Sequence, residues 1–171
     1  MKKWFFSLCL VFTVLATINA QEGLKGSGYI GVPTGNSTDY FGLNYGVSAS
    51  YHYPVFENLH LGAVAGLDFF SGKDISGTNT KNKGLTLVPI GVSGQFNLSS
   101  QFFAMVDLGF AMSLSKDYKG GFFFQPKGGY QDEYFQVFFF IKNISSELDR
   151  ATDFKNFNSI TSFGVGGAYK F

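Results

Sequence analysis

Cysteine occurs once in these 171 residues, at position 9, and tryptophan once, at position 4; there are two histidines and four prolines. Both single residues fall in the first twenty positions. Met1-Lys2-Lys3 is a short basic start, residues 4–18 are apolar, and Asn19-Ala20 supplies small residues before Gln21. Basic, apolar, small is the order of a cleavable secretory leader. The apolar run is too short for a comfortable membrane-spanning helix, and Cys9 sits inside it rather than at its end, which argues against a lipoprotein. Cleavage after Ala20 is therefore expected, leaving residues 21–171 as one domain of 151 residues with no cysteine and no tryptophan. Such a chain has no disulfide and no thiol chemistry to draw on.

Charge is equally sparse. Loss of Lys2 and Lys3 leaves 11 basic residues against 12 acidic ones, a net charge of −1. Nothing in that balance suggests a nucleic-acid partner. After the leader, no segment approaches the ~20 apolar residues of a spanning helix. What is abundant is glycine and phenylalanine, 22 of each, with nine tyrosines. That composition disfavours helices and favours strands.

The pattern within the chain is alternation at period two, which places successive side chains on opposite faces of a strand. In residues 160–171, Thr161, Phe163, Val165, Tyr169 and Phe171 share one face, and Ser162, Gly164, Gly166, Ala168 and Lys170 the other. Residues 41–53 repeat this, with Phe41, Leu43, Tyr45, Val47, Ala49, Tyr51 and Tyr53 against Gly, Asn, Ser and His. The spacing predicts eight strands, over 24–32, 41–53, 59–70, 85–98, 102–114, 121–131, 134–145 and 160–171. Each is near or above the ~9–11 residues with which a tilted strand crosses a bilayer.

The connections alternate in length. Those over 54–58, 99–101 and 132–133 are short; those over 34–40, 71–84, 116–120 and 146–159 are mostly longer and polar. Short turns at one end and long loops at the other are the arrangement of an outer-membrane barrel, with aromatic residues near the strand ends forming interfacial girdles. Tyr51, Tyr53, Phe69, Phe70, Phe102, Tyr169 and Phe171 are expected there. A soluble eight-stranded barrel would turn its oily face inward, but eight strands enclose only a narrow space, which the Gly, Ser, Asn, Gln, Asp and Lys faces fit better. The expected fold is thus all-β, an eight-stranded antiparallel up-and-down transmembrane β-barrel, monomeric and wrapped in outer-membrane lipid. Both mature termini are expected on the periplasmic side. Pro89 and Pro126 fall inside strands four and six, where each removes a ladder hydrogen bond, and a bulge or local twist is expected at both.

Residues 21–171 resemble the small bacterial outer-membrane β-barrels, in the broad OmpA/OmpX-like group and the porin-family outer membrane protein β-barrel domain. The most specific likeness is Gly166-Gly167-Ala168-Tyr169-Lys170-Phe171. Gly166, Tyr169 and Phe171 resemble the signal read by the barrel-assembly machinery, which the resemblance implies as a partner during biogenesis. Gly164 stands where that pattern more often has a polar residue.

Catalytic motifs are thin. His52 and His60 flank a short turn without a cysteine or a ligand-spaced carboxylate cluster, so no metal and no cofactor is expected. No nucleophile elbow or phosphate-binding glycine loop is present. A membrane enzyme resembling the lipid A palmitoyltransferase barrel would need a histidine in an outward loop, and no long loop has one; a non-enzyme is expected. By strand parity Asp68, Asp107, Lys127, Lys142 and Lys170 point into the barrel. Charges there persist only if paired or hydrated, which leaves a salt-bridged plug, the favoured reading, or a narrow polar path for small solutes. Loops 71–84 and 146–159 mix charges with Ser, Thr and Asn and are the candidate surface for an extracellular ligand.

Overall fold

The computed structural model describes residues 23–73, 82, 84–115, 120–146 and 159–171. The expected leader, residues 1–20, and most of loops 71–84 and 146–159 lie outside the described residues. Eight strands run in chain order: β1 (Leu24–Thr34), β2 (Phe41–Phe56), β3 (Leu59–Gly72), β4 (Leu85–Asn97), β5 (Phe102–Ser113), β6 (Gly121–Gln131), β7 (Phe135–Ser146) and β8 (Ser159–Lys170). Each pairs antiparallel with its neighbours, and β8 pairs with β1 to close the barrel. The backbone N–H of Phe171 donates to Leu24 O at 3.0 Å beside that seam. Closure leaves no strand edge unpaired, the condition a sheet must meet in hydrocarbon.

The strand alternation sets the two surfaces. Ile30, Val47, Val92, Phe110, Phe139 and Phe163 all stand exposed on the outer wall. Soluble proteins rarely present contiguous apolar surface on this scale; a transmembrane barrel must. Near the short turns, Phe102 packs edge-on against Tyr130 with ring centroids 6.0 Å apart, and Tyr169 lies 5.2 Å from Phe135 and 5.0 Å from Phe171. Toward the long loops Tyr45 stacks on Phe69 at 5.3 Å. Phe70 departs from the expected girdle. It shares a face with Asp68, points inward and is 2% exposed.

Phe41 also turns inward, because a register shift between Phe41 and Leu43 offsets it from the rest of β2. A second shift falls between Pro54 and Phe56 at the other end of that strand. Neither Pro89 nor Pro126 makes a bulge. Opposite each, the ladder skips two positions and resumes in the same register. The β3–β4 partners pass from Ala65↔Ile90 to Asp68↔Leu87, and the β6–β7 partners from Phe124↔Asn143 to Lys127↔Phe140. On their other sides both prolines keep a partner, Ala111 and Val106. One intact ladder per proline holds the strand in place, so the missing N–H interrupts pairing without shifting it.

The interior carries more bulk than small polar faces imply. Toward the long loops, Phe41, Phe70, Leu85, Leu87, Phe123, Ile144 and Ile160 form one buried apolar cluster with Val64 and Ala111. A second contains Tyr29, Phe103, Met105, Phe138, Phe140 and Ala168. Glycine makes room for these rings: a Cβ on Gly166 would sit 2.6 Å from the Phe138 ring, and one on Gly46 would sit 2.6 Å from Tyr29 Cζ. A short 3-10 turn, Gly35–Asp39, follows β1, and its buried Ser37 Oγ accepts from the Thr161 backbone N–H at 3.1 Å.

Candidate functional site in the barrel interior

Strand parity brings inward-facing polar groups from all eight strands into tiers below the apolar cluster. In the upper tier Lys142 of β7 donates to both carboxylate oxygens of Asp68 of β3, each at 2.7 Å. Tyr29 of β1 donates its hydroxyl proton to the same carboxylate, and its own oxygen accepts from Lys142 at 2.9 Å. The ammonium also lies 4.4 Å from the Tyr29 ring centroid, where the ring's quadrupole attracts a cation. Asp68 and Lys142 are essentially sealed from solvent.

The middle tier is a chain of four side chains. Lys127 Nζ lies 2.6 Å from Asp107 Oδ2; Ser93 Oγ donates to Asp107 Oδ1 at 2.6 Å; His52 Nε2 lies 2.8 Å from Ser93 Oγ. A hydroxyl has one proton, and Ser93 gives it to Asp107, so His52 Nε2 is the donor to Ser93. That leaves His52 Nδ1 without a partner although the residue is 1% exposed. The order His–Ser–Asp is wrong for nucleophilic catalysis, which needs the histidine between serine and carboxylate as the base. Ser93 is also buried, so no substrate carbonyl reaches it.

The lowest tier faces the short turns. Gln95, Gln131 and Gln136 bond one another and Asn97 over 2.7–3.2 Å, and Lys25 donates to Gln95 Oε1. Here the interior opens into a recess of about 260 Å³ lined by Lys25, His52, His60, Gln95, Gln131 and Lys170, among others. At the rim, in the β6–β7 turn, the backbone N–H groups of Phe135 and Tyr134 donate to Asp132 at 2.7 and 2.9 Å, which holds its carboxyl below the ordinary carboxylate range.

Of the five charges placed inside by parity, Asp68 meets Lys142 and Asp107 meets Lys127, while Lys170 stands apart, half-buried in the recess. Gly166 lies on the inner face of β8 beneath Phe138, and Tyr169 and Phe171 lie outside among the aromatics. Among the described residues no group of three or more His, Cys, Asp or Glu side chains could hold a metal ion. Lys25 escaped the parity reading because β1 has glycine on both faces; its signal was the odd-numbered series Lys25, Ser27, Tyr29. Alternation along strand four puts Ser93, Gln95 and Asn97 inside, as found, but neither they nor Tyr29 stand out as site residues, because uncharged polar residues do so only once their partners are known.

No protein-family model matches this chain, and no curated protein does either. Solved structures do match in shape. A barrel from a study of de novo designed transmembrane β-barrels has a TM-score of 0.52 at 15% identity, over 90% of this chain and 98% of that one. Ail, the attachment invasion locus protein of Yersinia pestis, gives 0.53 at 12%, over 88% and 100%. The N-terminal β-barrel domain of Pseudomonas aeruginosa OprF gives 0.50 at 14%, over 88% and 98%. At these identities the likeness is one of fold, and the fold is that of an eight-stranded antiparallel transmembrane β-barrel.

Proposed function

We propose that this chain is an integral barrel of the bacterial outer membrane, exported by a cleaved leader, whose closed interior stiffens the wall while its long loops meet the surroundings. The observation that carries the closed interior is the apolar cluster toward the long loops, where Phe70, Leu87, Phe123, Ile144 and Ile160 are each 2% exposed or less. Beneath it two sealed ion pairs tie β3 to β7 and β5 to β6. A water-filled path through eight strands would need those side chains elsewhere. Planar-bilayer recording with the refolded barrel tests this. No steady conductance is expected; a stable open current would overturn the closed interior.

Exposed apolar residues around the wall and the shared shape with Ail and OprF support the outer-membrane location. Heat-modifiable migration of the chain in outer-membrane fractions is the corresponding test. Gly166, Tyr169 and Phe171 act in this reading as the signal for the barrel-assembly machinery, lipid covers the outer wall, and the barrel works as a monomer. Loops 71–84 and 146–159 form its contact surface for an extracellular ligand, a role in keeping with the name of Ail as an attachment protein.

A second reading keeps one observation in its favour. The two-position gap in the β6–β7 ladder beside Pro126 is a weak point in the wall, where a lateral conduit for small apolar solutes would open. A lipid-modifying enzyme ranks last, since the buried His52–Ser93–Asp107 chain offers no nucleophile.

A further inference from the structure

Among the described residues, four lysines and two aspartates face the interior. Lys142 and Lys127 are neutralised at contact distance by Asp68 and Asp107. Lys25 and Lys170 are not: neither has an ion-pair partner among the described residues, and they stand directly opposite each other across the β1–β8 seam. Like charges in directly opposed positions destabilise a sheet. The nearby carboxylates do not pair with them. Asp132 and Glu133 attract Lys170 from the turn, whereas for Lys25 burial and the repulsion of Lys170 and Lys127 outweigh the attraction of Asp107.

Both lysines line the recess of about 260 Å³ at the short-turn mouth, many times the ~30 Å³ share of one liquid water. Lys25 spends one donor on Gln95 Oε1, leaving two of its three N–H bonds. His52, 1% exposed, lines the same space with Nδ1 unpartnered, and His60 Nδ1 is unpartnered too. Two ammonium groups without an ion-pair partner among the described residues, facing each other across the seam and lining one recess, define an anion site.

We propose that this recess binds a small oxyanion, a phosphate or carboxylate group, between the ammonium groups of Lys25 and Lys170. Charge-assisted bonds from both ammonium groups supply the attraction, and the occupied site removes the cross-strand repulsion. The inference is independent of which membrane holds the barrel and of whether its interior conducts. Both lysines face inward, so the strand wall separates them from the headgroups of the surrounding bilayer.

The test is calorimetric titration of inorganic phosphate into the barrel folded in nonionic micelles, at constant ionic strength, with succinate in parallel. Saturable binding of one anion per barrel is expected. Lys25→Gln and Lys170→Gln should each weaken it about tenfold or more, whereas Lys73→Gln, at the opposite end, should leave it unchanged. Unboiled gel mobility checks the fold of every variant. If Lys25→Gln does not fold, Lys170→Gln alone decides, because that side chain is half-buried at a strand end. Doping the micelles with phosphatidylglycerol separates the sources: competition assigns the oxyanion to a headgroup, and none assigns it to a free solute. Absence of saturable binding of either anion, undiminished binding by Lys170→Gln, or an equal loss in Lys73→Gln would overturn the proposal.

Discussion

The Lys142 ammonium lies 2.7 Å from each carboxylate oxygen of Asp68, a residue 74 positions earlier in the chain on the far side of the barrel interior. Two charges taken this far from water are tolerable only as a pair, so each residue depends on the other.

Removing one partner should therefore be costly. Asp68→Ala strands a buried ammonium and should destabilise the folded barrel by ~3–5 kcal/mol. The double variant Asp68→Ala with Lys142→Met, which has no charge to bury, should recover most of that loss. Urea unfolding in lipid vesicles measures both; additive losses in the double variant would show that the two groups do not act as a pair.

The outer wall gives a depth-dependent prediction. Val92, 62% exposed, lies midway along the outward face of β4, whereas Leu98 lies just past its short-turn end. Val92→Arg should cost ~2–4 kcal/mol in a bilayer and Leu98→Arg only ~0–1. Equal, small effects at both positions would mean that water rather than hydrocarbon bathes the wall.

Gly166 tests the packing of the interior. A methyl group there meets the Phe138 ring at 2.6 Å and Gly28 O at 2.8 Å, so Gly166→Ala should cost ~1–3 kcal/mol by overpacking. Adding Phe138→Leu should relieve part of the cost. A neutral Gly166→Ala in unfolding titrations would show that the ring moves aside freely.

Asp132 supplies a pH dependence at the rim. Its folded pKa lies below the ordinary 3.8 because the Phe135 and Tyr134 N–H groups bond the carboxylate. Its stabilisation of the turn is thus complete above the unfolded value and fades as pH falls through the lower folded one. Hydrogen-exchange protection at Tyr134 and Phe135, taken relative to the intrinsic rate at each pH, should fall on acidification below 3.8 in the native protein. In Asp132→Ala that acid-induced step should vanish.

Much of the architecture was legible because a transmembrane strand obeys two local rules at once, alternation and minimum length. β6 occupies residues 121–131 as the alternation indicates, and the other strands differ only at their ends. The inward direction of Asp68, Asp107, Lys127, Lys142 and Lys170 follows from parity in the same way. The expected outward placement fails at Phe41 and Phe70. At Phe41 a bulge reversed it, and Phe70 was assigned to a girdle by its nearness to a strand end although its parity matched that of Asp68. At the prolines the ladder is interrupted without a register shift, so of the bulge or local twist expected there the bulge is absent, for a related reason. The sequence shows the lost N–H but not the intact ladder on the other side of the strand.

The chain by itself determined that there are eight strands, which face of most of them is apolar, and that short and long connections alternate, since all of these are properties of neighbouring residues. Which charges meet was decided only by closure and register. Closure sets β3 across from β7, and register brings Asp107 within reach of Lys127 while leaving Lys25 facing Lys170. Partners 20 to 145 residues apart are chosen by geometry shared among strands, which no local pattern encodes.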